Sequence, residues 1–132
     1  MDALRFEELV VKPDRVEALV RIQGPQRNTT PELIERCLQE FPYLGLHACV
    51  NGVGPTFGAV MESTSLPHLL EHMVIEQQTL ASENEETTFL GTTQFTAEDP
   101  DVARVSVSFA NDVACLAAFT RALEFLNDAL AR

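Results

Sequence analysis

The segment Ser65-Leu66-Pro67-His68-Leu69-Leu70-Glu71-His72-Met73-Val74-Ile75-Glu76-Gln77-Gln78-Thr79-Leu80-Ala81 organises the reading of the whole chain. Serine is a good N-cap, and a proline in the first helical turn sacrifices no hydrogen bond, so a helix is predicted from Ser65-Leu66-Pro67 to about Ala81. At about 100° per residue, Leu66, Leu69, Leu70, Met73, Val74 and Leu80 share one side, and His68, Glu71, His72, Ile75 and Glu76 fall on the other. An apolar stripe for the core and a separate face that carries chemistry are expected.

Elements on either side follow from local signals. Residues Arg15 to Gln23 are rich in β-branched and apolar side chains and stop at Gly24-Pro25, which reads as the first strand. Thr30-Pro31-Glu32 opens a helix with Leu33, Ile34, Cys37, Leu38 and Phe41 at helical spacing, ending near Pro42. Leu46 to Val50 and Phe57 to Met61 are read as short paired strands joined by Asn51-Gly52-Val53-Gly54-Pro55. After the polar loop Ser82-Glu83-Asn84-Glu85-Glu86, strands are predicted around Thr87 to Phe95 and Ala103 to Phe109. A helix capped by Asn111 follows, with a stripe of Val113, Leu116, Ala117, Phe119, Leu123, Leu126 and Leu130. The order β-α-β-β-α-β-β-α predicts an α+β fold in one domain, residues 1–132, with a mostly antiparallel sheet and helices on one face.

Composition narrows the function. A chain of 132 residues can bury a core unaided, and no apolar run approaches the roughly 20 residues that span a bilayer. The start, Met1 to Glu8, lacks the basic and apolar regions of a secretory signal, so a cytoplasmic location is expected. Twenty acidic against nine basic side chains give a net charge of −11, which disfavours nucleic acid and anionic membranes as partners. Cys37, Cys49 and Cys115 are widely spaced and form no CxxC pair, and they read as reduced, mostly buried thiols. Neither a dinucleotide fingerprint nor a phosphate-binding loop is present.

The helix carries the pattern HxxEH. Histidines four residues apart stack on one face and can reach one metal ion, and a neighbouring carboxylate can take a proton from a metal-bound water. His68 and His72 are therefore candidate zinc ligands and Glu71 the candidate catalytic base. Glu76, one turn further along the face, is the favoured third ligand, with Glu124 on the last helix as the alternative. His47, Glu62, Glu83, Glu85 and Glu86 could join only if the fold brings them near. His47, beside Cys49 in an apolar stretch, reads more readily as a satisfied buried histidine than as a ligand.

The runs Phe41-Pro42-Tyr43-Leu44, His47-Ala48-Cys49, Gly54-Pro55-Thr56-Phe57 and Thr64 to Gln77, together with the closing segment Ala103 to Leu130, resemble the N-terminal domain of cyanophycin synthetases over about residues 15–130. Those synthetases polymerise aspartate and arginine with an ATP-grasp and a Mur-ligase-like domain, neither of which is in this chain. The resemblance implies a domain that engages an arginine-decorated polymer and, in some members, cuts it at a metallopeptidase-like site. The HxxEH helix is also similar to that of pitrilysin-type zinc peptidases. The leading expectation is a zinc-dependent hydrolase acting on cyanophycin or a related arginine-bearing peptide. The alternatives are a non-catalytic binding module for the polymer or a protein partner, and a structural domain that assembles as a homo-oligomer.

Overall fold

The computed structural model describes residues 2–84 and 86–131. It opens with a strand that the sequence pattern conceals: β1, Leu4–Val11, pairs antiparallel with β2, Arg15–Ile22. β2 alternates strictly, burying Val16, Ala18, Val20 and Ile22, as a strand with one covered face must. In β1 the register shifts between Phe6 and Glu8, so an extra residue changes the phase of the alternation. Leu4 and Phe6 face the core before this bulge, and Leu9 and Val11 lie on the core side after it, opposite Ala18 and Val16. A period of two that breaks at mid-strand leaves little signal to read.

Helix α1, Pro31–Glu40, starts where Thr30 accepts a hydrogen bond from the Leu33 N–H at 3.2 Å. The strand pair expected at Leu46 to Val50 and Phe57 to Met61 does not form. Three short 3-10 turns, Leu44–Leu46, Phe57–Ala59 and Met61–Ser63, take their place, with one bridge between Ala48 and Thr56. Two local features explain this. The Asn51 carboxamide oxygen accepts from the N–H groups of Val53 and Gly54, at 2.9 and 2.8 Å, and draws the backbone away from a ladder. Gly45 and Gly58 pack backbone to backbone: a Cβ on Gly58 would lie 2.8 Å from the Gly45 carbonyl oxygen.

Helix α2, Leu66–Ala81, is followed by β3, Gly91–Phe95, β4, Val102–Ser108, and α3, Asp112–Leu130. The four strands form one antiparallel sheet in the order β1-β2-β4-β3. α2 packs on β3 and β4, and α3 on β1 and β2. The class is α+β, as expected, but the element order is β-β-α-α-β-β-α. Among the described residues no helix is long and apolar enough to cross a membrane.

Two stripe assignments change with the packing. Because segment 41–64 covers its second side, α2 is buried nearly all round: Glu71, His72, Ile75 and Glu76 lie inside together with the apolar stripe, while Leu80 is 60% exposed. In α3 the buried residues are Cys115, Ala118, Phe119, Ala122, Leu126 and Ala129, and Val113 is 69% exposed. Small residues at the sheet-facing positions let this helix approach closely. None of the cysteines forms a disulfide, and burial pushes the Cys37 thiol up to about 12 and the Cys115 thiol to about 11.

Phe119 is fully buried, edge-on to Phe6 at 6.0 Å between ring centroids. Phe119→Ala is expected to lower unfolding free energy by about 3–5 kcal/mol, and Val113→Ala by less than about 0.5 kcal/mol. Urea denaturation of both variants checks this assignment of the α3 face.

Candidate metal centre

Ser65 caps α2 by accepting from the His68 N–H at 3.2 Å, with Pro67 in the first turn. The chain just before it is tied down by reciprocal bonds between Thr29 and Thr64. This fixed start aims His68 and His72 at the loop carrying His47 and Cys49. That loop is closed by hydrogen bonds from Phe57 N–H to the His47 carbonyl, 2.8 Å, and from Cys49 N–H to the Pro55 carbonyl, 3.2 Å. Phe57, fully buried, stacks on the His72 ring at 4.0 Å and meets the His68 ring edge-on at 5.0 Å. One aromatic side chain thus sets the planes of both imidazoles.

Around these rings the polar contacts are specific. The Cys49 sulfur lies 3.5 Å from His68 Nε2, and Thr64 Oγ1 lies 2.8 Å from His68 Nδ1. His72 Nδ1 is 3.2 Å from His47 Nδ1, and His47 Nε2 is 3.0 Å from Glu76 Oε1. Ligand atoms of Cys49, His68 and His72 all lie within 4.8 Å of one another, the one such grouping among the described residues. Glu71 Oε2 lies 3.6 Å from His72 Nε2, and Thr93 on β3 donates to Glu71 Oε1 at 2.7 Å. β3 approaches so closely that a Cβ on Gly91 would sit 2.8 Å from Glu71 Oε2 and displace the carboxyl from this position.

The sequence-predicted residues are thereby partly gathered and partly separated. His68, Glu71 and His72 line one cleft of about 770 Å³ between α2, the 47–50 loop and segment 87–95. Glu76 does not line it, being turned to His47, and the sulfur of Cys49 stands where a third ligand is needed. Glu124 is exposed on α3 and does not line the cleft either, and Glu62, Glu83 and Glu86 are exposed elsewhere on the surface. Glu85 lies outside the described residues. His47 is a partnered, half-buried histidine touching the cluster. The reading from sequence missed Cys49, Thr64 and Thr93 because their roles depend on contacts far along the chain. The only local signal was that Cys49 and His47 alternate two residues apart.

Burial dominates the electrostatics. It lowers the pKa of His68, and it lowers that of His72 to about 3, with His68 and His47 adding like-charge repulsion. Both rings are therefore neutral and able to ligate a metal. Burial raises the Glu71 carboxyl to about 7 against the opposing effect of the Thr93 hydrogen bond. With its hydrogen on Nδ1, a neutral His72 would face an ionised Glu71 lone pair to lone pair across 3.6 Å, an arrangement that calls for a cation or a proton between them. One thiol and two imidazoles are a donor set suited to zinc. These residues fit the ion.

The fold is a small α+β domain with a cleft-side Cys-His-His grouping, its two histidines on α2 and its cysteine on the preceding loop. A family model for the cyanophycin synthase-like N-terminal domain matches residues 15–131, and the chain belongs to that family. β1 lies before the matched region. No curated protein sequence matches the chain.

The buried carboxyl has a consequence for stability. Folded Glu71 keeps its proton up to about pH 7, whereas the unfolded chain releases it near 4.5. Its contribution is complete below the lower value and is lost as pH rises through the upper one. His72 acts in the opposite sense, because its folded pKa is depressed, so stability is gained as pH rises from about 3 to 6.5. Glu71→Gln isolates the first effect. In chelator-treated protein its stability relative to wild type should grow by about 3 kcal/mol between about pH 4 and pH 8. A pH-independent difference in denaturation midpoints would contradict the buried, proton-holding state of Glu71.

Proposed function

We propose that this chain is a zinc-dependent hydrolase that cleaves a peptide-like bond in cyanophycin or a related arginine-bearing peptide. The observation that carries this reading is the Cys49-His68-His72 grouping, with Glu71 at its open side and the cleft in front of it. Zinc held by these three residues would supply a bound water of pKa near 7 and a Lewis acid for the scissile carbonyl. Glu71 Oε2 takes a proton from the attacking water, while Thr93 holds Oε1 and so fixes the carboxylate plane. The oxygen adds to the carbonyl carbon, the C–N bond breaks, and Glu71 returns its proton to the leaving nitrogen.

Two further features support an extended peptide as substrate. β3 is the outer strand on the cleft side; the Leu90 carbonyl accepts from Ser108 N–H and the Thr96 N–H donates to the Val102 carbonyl. By antiparallel alternation, the backbone groups of Gly91, Thr93 and Phe95 then point away from β4, where an added strand could pair. Glu71 is the sole acidic or basic side chain, histidines aside, among the described residues lining the cleft. The net charge of −11 would therefore attract a cationic chain at long range while hydroxyls such as Thr92 and Thr93 meet it inside. A reducing, cytoplasmic setting, which keeps Cys49 a thiol, suits the site.

Glu71→Gln tests the assignment. The variant should keep zinc and bind an arginine-rich peptide as wild type does, yet cleave it about 10²–10⁴-fold more slowly. A rate within a few-fold of wild type would exclude Glu71 as the base. Equal binding with no cleavage by either protein would identify a binding module.

A further inference from the structure

Two buried or half-buried residues outside the candidate ligands, Glu76 and His47, are joined to them by hydrogen bonds. Glu76 is 3% exposed on α2, one turn beyond His72, and its Oε2 is the one buried side-chain polar atom without a hydrogen-bond partner among the described residues. Its Oε1 meets His47 Nε2 at 3.0 Å, and His47 Nδ1 meets His72 Nδ1 at 3.2 Å. The chain Glu76, His47, His72 leads from this carboxylate to the Cys49-His68-His72 cluster.

The order of protons along the chain follows from donor and acceptor chemistry. A carboxylate oxygen only accepts, so His47 carries its hydrogen on Nε2. Where that is the one ring hydrogen of His47, its Nδ1 presents a lone pair, and a His72 hydrogen on Nδ1 satisfies the contact. This leaves the His72 lone pair on Nε2, the nitrogen 3.6 Å from Glu71 Oε2. Thr64 cannot dictate the state of His68 in the same way, because a hydroxyl either donates or accepts. We infer that Glu76 and His47 are positioning residues that fix His72 in its metal-binding tautomer, a role resting on the zinc reading above. Outer partners of this kind orient ligating histidines and raise their basicity.

The test uses the full chain, with zinc as the only added ligand. In metal-free wild-type protein, nitrogen-detected NMR should show His72 protonated at Nδ1. Glu76→Gln, whose amide can donate or accept, should give a mixture of tautomers and bind zinc about 10–100-fold more weakly by calorimetry. His47→Phe keeps a ring beside His72 but removes both nitrogens, and it should weaken zinc to a similar degree should the first variant fold poorly. An unchanged tautomer with zinc affinity within about threefold of wild type would overturn the relay alone. A wild-type protein that takes up no zinc would instead overturn the metal reading beneath it. Neither result depends on whether any substrate is cleaved.

Discussion

Helix α2 is buried on almost every side, yet it carries Glu71, His72, Glu76, Gln77 and Gln78 into the interior. A buried polar group without a partner costs about 1–3 kcal/mol, so each of these side chains obliges another element to come to it. Gln78 donates to the Ser108 carbonyl at 3.0 Å, which holds α2 to the end of β4. Gln77 bonds the Ala118 carbonyl and accepts from Arg121, which fastens α2 to α3. Glu71 draws in Thr93 of β3, and Glu76 draws in His47 of the preceding loop. Much of the tertiary arrangement answers the polar needs of one helix.

The same constraint divides the helix by function. Its C-terminal polar residues are consumed by structural bonds, whereas His68, Glu71 and His72 face a cleft and keep atoms free for chemistry. Phe57 accounts for much of the difference. By stacking on one imidazole and abutting the other, it presents an apolar neighbour that leaves their ring nitrogens to polar partners elsewhere. Gly91 contributes by what it lacks, since any side chain there would collide with the Glu71 carboxyl.

How much of this was legible in the sequence depends on the range of the interaction. α2 carries its own cap, its own proline and its own HxxEH spacing, so both its start at Ser65 and its pairing of two histidines with a carboxylate could be read locally. β2, with strict alternation, was equally plain. β1 was hidden because its bulge breaks the period of two, and segment 44–63 misled because Asn51 and the Gly45–Gly58 contact favour tight turns over a hairpin. The third member of the candidate cluster was beyond local reading altogether. Glu76 has the right spacing on an isolated helix, but in the folded chain His47 holds it aside while Cys49 arrives from a loop nineteen positions before His68.

Zinc K-edge X-ray absorption on the zinc-loaded protein tests the central claim most directly. A site of Cys49, His68 and His72 predicts one sulfur at about 2.3 Å and two imidazole nitrogens at about 2.0–2.1 Å, with an oxygen in the remaining place. The sulfur shell should vanish in Cys49→Ser. A spectrum of nitrogen and oxygen neighbours alone in the wild-type protein would contradict the account.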